Sequence, residues 1–340
     1  EHRHSESMTR ELATRFSIAL RCSIAMLTLL FGIHCGGPAT PATPAAESTA
    51  APTSAPMGLA EASTDAVWLS TDKKALEIEA VDSLDELKAR LTRDALAGVT
   101  HLRVSGLALG PDLAGLLAES TATGQLLALD VSDNDLGPRG AETLARARGL
   151  DDLQELDLGG NDIGDAGARA LANTKLRLKS LNLSGNGITG AGVKALGNGS
   201  LLAGLSSLDL TMNAIQPGGA RALANVAFGD LKFLFLLGCE VGTEGAEALA
   251  ASQAMKSLTV LALSGNSVGD AGAVALAGSP HLTSLTLLDL GANGIGSKGA
   301  LAIAQSTTLE ALESLELSGN DVGTAAESKL KARFGDRLKL

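Results

Sequence analysis

One spacing constrains this chain more than any other property. From about residue 99 the frame L-x-x-L-x-L-x-x-N-x-[LIV]-G-x-x-G-A-x-x-L-A recurs. Its asparagine slot falls at Leu107, Asn134, Asn161, Asn186, Asn213, Cys239, Asn266, Asn293 and Asn320. The intervals are 27, 27, 25, 27, 26, 27, 27 and 27 residues. A unit this small cannot hide its own apolar side chains, so the copies must stack and bury them cooperatively. Aromatics are only 2% of a chain that is 45% apolar, so the core is built from Leu, Ala, Val and Ile. Forty glycines without a collagen period indicate many turns.

Each part of the frame has a mechanical reading. The L-x-L stretch alternates with period two and predicts a short strand with its leucines inward. The asparagine follows the strand, where a buried amide can satisfy loop backbone groups. Two residues after the [LIV] position stand Pro138, Asp165, Pro217, Thr243, Asp270 and Ser297, expected as helix caps or first-turn prolines. Gly140, Gly167, Gly192, Gly219, Gly245, Gly272 and Gly299 share one slot and predict close helix–helix approach. Leu144, Leu171, Leu196, Leu223, Leu249, Leu276 and Ile303 follow four residues later, on the core face. One strand and one helix per copy imply parallel strands with right-handed crossovers.

This period and motif resemble those of leucine-rich repeat proteins. The segments GARALA (167–172), GARALA (219–224), GAEALA (245–250) and GAVALA (272–277) are similar to the ribonuclease-inhibitor-like, GALA-type class. The resemblance implies an α/β leucine-rich repeat solenoid, a horseshoe with parallel strands on the concave face and helices on the convex face. It covers about 99–323. The class includes inhibitors, nucleotide-sensing receptors, activators of the Ran GTPase and bacterial effectors, so it specifies fold better than function. The expected organisation is a signal over 1–35, a linker over 36–70, an N-terminal cap over 71–98, nine repeats over 99–323 and a C-terminal cap over 324–340.

The N-terminal part has a different character. Arg10, Arg15 and Arg21 precede the apolar run 22–33, which is too short to span a bilayer at roughly 20 residues. A basic region before a short apolar run reads as an export signal, and Met8 is a candidate start. Cys35 follows, then a Pro/Ala/Thr/Ser stretch expected to be a disordered tether. That order resembles a bacterial lipoprotein, which implies lipidation of Cys35 and a place in the cell envelope. Gly32, Ile33 and His34 depart from that family's usual residues before the cysteine. A cytoplasmic regulator resembling the Ran activators is the alternative.

Strand positions between the leucines face the concave surface. The central slot reads Arg103, Asp130, Asp157, Asn182, Asp209, Phe235, Ala262, Asp289, Glu316, and the slot two residues earlier includes His101, Phe233, Val260 and Leu287. An acidic ladder (Asp130, Asp157, Asp209, Asp289, Glu316) is thus interrupted by an apolar island of Phe233, Phe235, Leu237, Val260, Ala262 and Leu287. The aspartates belong to the common form of the repeat and could serve only solubility. The island departs from it. Leaving a large apolar side chain in water forgoes roughly 1.5–3 kcal/mol of burial, and contiguous exposed patches mark binding sites. The expected partner is a protein or peptide that presents an apolar anchor beside basic residues. The tether, or a second copy of the chain, could cover the same patch. On this reading Phe235→Asp abolishes capture and leaves the fold intact.

A net charge of −11 disfavours nucleic acid, and membrane contact is expected only through a lipidated Cys35. No cofactor or metal is expected. The histidines lack ligand spacing, and the glycine-rich turns recur without a phosphate-loop lysine. His101, Arg103 and Asp130 could form a reactive group, but no pocket or nucleophile accompanies them. The sequence therefore reads as a non-enzymatic binding scaffold.

Overall fold

The structure, a computed structural model, describes residues 67–69 (backbone only), 74–78, 80–120 and 123–340. The segment expected as an export signal, Cys35 and most of the expected tether lie outside the described residues. Strands and helices alternate along the chain. The strands are β1 (Val67–Leu69), β2 (Ala75–Ile78), β3 (His101–Arg103), β4 (Ala128–Asp130), β5 (Glu155–Asp157) and β6 (Ser180–Asn182). They continue as β7 (Ser207–Asp209), β8 (Phe233–Phe235), β9 (Val260–Ala262), β10 (Leu287–Asp289), β11 (Ser314–Glu316) and β12 (Leu338–Lys339). The helices are α1 (Leu84–Arg90), α2 (Asp112–Glu119), α3 (Gly137–Ala145), α4 (Gly164–Ala172) and α5 (Gly190–Gly197). After them come α6 (Gln216–Ala224), α7 (Gly242–Ala251), α8 (Gly269–Ala277), α9 (Ser297–Gln305) and α10 (Thr324–Phe334).

The strands form one sheet in chain order. From β2 to β12 every pair is parallel, and the register joins equivalent slots: Asp130 with Asp157, Asp209 with Phe235, Phe235 with Ala262. Only β1 runs antiparallel, pairing Val67 with Ile78. Ordered sheet therefore begins inside the stretch that composition assigns to the tether. Central leucines such as Leu156, Leu208, Leu234 and Leu288 are buried between sheet and helices, as are the helix leucines Leu171, Leu223 and Leu276. This is a leucine-rich repeat solenoid. The sheet lines one face of the stack, its inner wall, and the helices pack along the other.

The helix glycines explain how the outer side closes up. A Cβ at Gly167 would stand 3.0 Å from Ala141 Cβ, and one at Gly245 would stand 2.9 Å from Ala220 Cβ. Each glycine lets its helix approach the alanine of the preceding one. The expected caps work differently from the sequence reading. Pro138 and Pro217 do occupy first turns. Asp165 and Asp270 lie within α4 and α8, whose N-termini carry no side-chain cap. Each instead accepts from the start of the next helix along: Thr189 N and Oγ1 donate to Asp165 at 2.8 and 2.7 Å, and Gly296 N and Gly299 N donate to Asp270 at 2.8 and 2.7 Å. The carboxylate meets unsatisfied helical N–H groups of its neighbour, so the cap becomes an inter-repeat tie.

The asparagines form a second tie. Asn161 Nδ2 donates to the carbonyls of Val131, Leu158 and Gly159, while its Oδ1 accepts from Asn134 N at 3.0 Å and Leu136 N at 3.2 Å. The pattern repeats at Asn186, Asn213, Asn266, Asn293 and Asn320. Cys239 interrupts it. Its buried thiol donates to Leu210 O at 3.1 Å, and burial pushes its pKa up to about 12, so it is an inert structural group. It offers no amide oxygen, and Ile215 N turns to Asn213 O at 2.7 Å. Cys239→Asn is therefore expected to raise stability by about 1–2 kcal/mol through restored acceptors. Denaturant unfolding checks this; a destabilised variant would mean that the turn has closed around sulfur.

Two arginines near the last helix, α10, bond backbone carbonyls of the preceding repeat. Arg333 donates to Ile303 O, Ala304 O and Leu309 O, and Arg337 donates to Leu312 O, so the last turn's open carbonyls are covered.

Candidate partner-binding site

The inner wall carries every slot that sequence assigned to partner contact, in the expected register. What each side chain does there differs from slot to slot. The strand-end carboxylates share a task. Ser132 N donates to Asp130 at 3.0 Å, Gly159 N to Asp157 at 2.8 Å and Thr211 N to Asp209 at 2.8 Å. Gly291 N donates to Asp289 and Ser318 N to Glu316, both at 3.0 Å. Each acid accepts the N–H two residues on and so stiffens the exit from its strand, an Asx-type bond. The LDLS form of the repeat is the sequence signal for it. The ladder thus has a structural role beyond solubility.

The ends of the ladder are neutralised and its middle is not. Arg103 Nε lies 3.1 Å from Asp130 and 3.4 Å from Glu77, and Lys339 Nζ lies 4.0 Å from Glu316. Asp157, Asp209 and Asp289 are in no ion pair among the described residues. Asn182 Nδ2 donates to Asp157 at 3.0 Å, and Ser264 Oγ donates to Asp289. Burial first, and then the neighbouring Asp130 charge, push Asp157 up to about 7. Burial likewise raises Asp209 and Asp289 above the usual carboxylate range. His101 Nδ1 bonds Thr100 Oγ1 at 2.9 Å, and Arg103 is held in its ion pairs and donates to Ser105 Oγ at 3.0 Å.

The apolar island is less open than its sequence suggests. Phe235 is 8% exposed, Leu237 6% and Ala262 1%. The expectation that Phe235 stands in water is corrected. Alternation puts it on the inner side of the sheet, yet its ring lies covered, in register with the partly buried Asp209 and with Ala262. An aspartate there would bury a second carboxylate, so Phe235→Asp would damage the fold and could not report on binding alone. The partly exposed apolar line is Phe233, Val260 and Leu287, which pair in register across β8, β9 and β10. Sequence reading missed one exposed apolar residue in the turn after β7, beside Gly238 and away from this line. Met212 sits at the rim with φ +59°, 42% exposed, in a slot that is glycine at 160, 185, 238, 265 and 319. A large side chain in the left-handed region costs about 1–2 kcal/mol. Such strain in an exposed apolar residue points to use.

Among the described residues no helix is long and apolar enough to cross a membrane, and no cluster of His, Cys, Asp or Glu could hold a metal ion.

Comparison with known proteins bears on the repeats. A Leucine Rich repeat family model matches residues 126–145, 152–172, 177–197, 205–224, 254–277 and 281–304. No curated protein matches the chain. Among solved structures the solenoid is similar to that in the yeast Rad7 and Elc1 complex, with TM-score 0.51, 17% identity, and coverage of 75% of this chain and 69% of that one. It is also similar to TLR13 in its complex with ssRNA13, with TM-score 0.50, 20% identity, and coverage of 79% of this chain but 35% of that one. The Arabidopsis receptor kinase HAESA, solved with the peptide hormone IDA and the co-receptor SERK1, aligns at TM-score 0.45 and 20% identity, over 74% of this chain and 39% of that one. The first two likenesses show the fold.

Proposed function

We propose that this leucine-rich repeat chain is a non-enzymatic scaffold that captures a protein or peptide on its inner wall. The observation that carries the reading is the line Phe233–Val260–Leu287, with Asp289 two residues on from Leu287 and Asp209 paired with Phe235 on the neighbouring strand. A fitting partner places an aliphatic or aromatic side chain on that line and a lysine or arginine against each flanking acid. Acids that no ion pair neutralises among the described residues favour a partner's cation. The same reading places the chain at the cell envelope, on the basic-then-apolar segment 10–33 and a lipidated Cys35. Cys35→Ser is expected to abolish labelling by a palmitate analogue.

Panning a random peptide library on the purified protein tests the wall. Enriched peptides should carry Lys or Arg within a few residues of Leu, Ile or Phe. Leu287→Lys removes an apolar contact and opposes the partner's charge, so it should weaken those peptides about tenfold or more, with the unfolding midpoint near wild type. Peptides whose affinity ignores Leu287→Lys would refute the site.

A further inference from the structure

We propose that the outer face of α4, α5 and α6 is a second docking surface, which takes an acidic peptide segment laid across the three helices and over the groove between α5 and α6. The starting point is a break in charge pattern. The chain has 38 Asp and Glu against 27 Lys and Arg, yet residues 166–208 contain Arg169, Lys175, Arg177, Lys179 and Lys194 and no acid. Continuing to 229 adds Arg221 and only Asp209, which faces the opposite, inner wall. All six cations are exposed, and none is in an ion pair among the described residues.

Three of them are aligned by the repeat. Arg169, Lys194 and Arg221 each stand two residues before the buried helix leucine, so successive helices present one cation apiece at the same height. The frame does not impose this, because the flanking copies hold Glu142, Glu247 and Val274 in the same slot. Packed helices are about 8–10 Å apart. An extended peptide advances about 3.3–3.6 Å per residue, so carboxylates three residues apart match the row.

Between α5 and α6 runs a groove of about 330 Å³, flanked by Lys194 and Arg221, with Asn198 and Asn225 at its end. Gly218 keeps one bank low. A Cβ there would meet nothing within 4 Å, so packing does not require this glycine. A helical glycine costs about 0.5–1 kcal/mol relative to alanine, and the equivalent slots hold Arg139, Ala166, Ala191, Glu244, Ala271 and Lys298. The open groove is the feature that the glycine provides. The three helices carry no aromatic for base stacking and no large exposed apolar side chain to enter a bilayer, and the field of a chain at −11 opposes a long polyanion. A short acidic segment feels mainly the local cations.

The test uses the full chain and a fluorescein-labelled dodecamer of glutamate, with a lysine dodecamer, anionic phosphatidylglycerol vesicles and duplex DNA as comparisons. The glutamate peptide should bind, and more weakly as salt rises. Lys194→Glu with Arg221→Glu should weaken it about tenfold or more. Gly218→Leu, which fills the groove without changing charge, should weaken it too, whereas Glu247→Gln and the inner-wall variant Leu287→Lys should not. That last arm separates this surface from the inner wall, on which the proposal does not depend. No glutamate binding at low salt, affinity indifferent to both the charge reversal and Gly218→Leu, or capture of vesicles or DNA in place of the peptide would each overturn it.

Discussion

Asn161→Ala is expected to cost about 3–5 kcal/mol of unfolding free energy. The side chain is fully buried and sits in five hydrogen bonds, three donated to carbonyls and two accepted from N–H groups of the preceding repeat. Alanine leaves all five partners without it in a dry interior. A typical bond contributes about 1 kcal/mol net, and an orphaned buried group costs more. Asn173→Ala is the control, since that amide is exposed and makes one bond, to Arg169 O; its cost should stay within about 0.5 kcal/mol. Urea unfolding followed by circular dichroism measures both. Because neighbouring copies stabilise one another, the Asn161 loss should also lower the m-value if the N-terminal copies unfold separately. A loss below about 1 kcal/mol would mean that water takes over the amide's work and that the ladder is dispensable.

Stability should also fall as pH rises from about 4 to 7, and Asp157→Asn should remove part of that fall. Unfolded, Asp157 titrates near 3.9; folded, it titrates at about 7 because it is buried beside Asp130. Between those values the native state holds a proton that the unfolded state has released. Unfolding free energy therefore drops with rising pH across that window and is flat above it. Three units correspond to about 4 kcal/mol at most, and sharing with Asp130 brings the expected contribution to about 2–3 kcal/mol. Asparagine keeps the shape and cannot ionise, although it must give up one bond, since its amide cannot accept from both Gly159 N and Asn182 Nδ2. The variant should match wild type or fall slightly below it at pH 4 and exceed it by about 1–2 kcal/mol at pH 8. Asp209 and Asp289, shifted the same way, keep some slope in the variant. Equal slopes in both proteins between pH 5 and 8 would show that Asp157 is ionised throughout.

The sequence by itself determined the repeat, the inward leucines, the helix glycines and the inner-wall register. Those follow from two short-range rules, strand alternation and helical spacing, copied nine times over. Repetition also made the asparagine legible as a buried amide, though not which carbonyls it would reach. Only the tertiary structure decided how far each inner-wall side chain is covered. Phe235 and Phe233 occupy equivalent-looking slots, yet one is buried and the other half-buried, because coverage depends on neighbours a whole repeat away. The same holds for Asp165 and Asp270, which read as caps of their own helices and bond the next one. It holds for Gly218, one helical glycine among many until its surroundings show no packing need for it. A repeat fixes what lies within its own period, while burial, pKa and open grooves arise between periods, where contacts in space replace order along the chain.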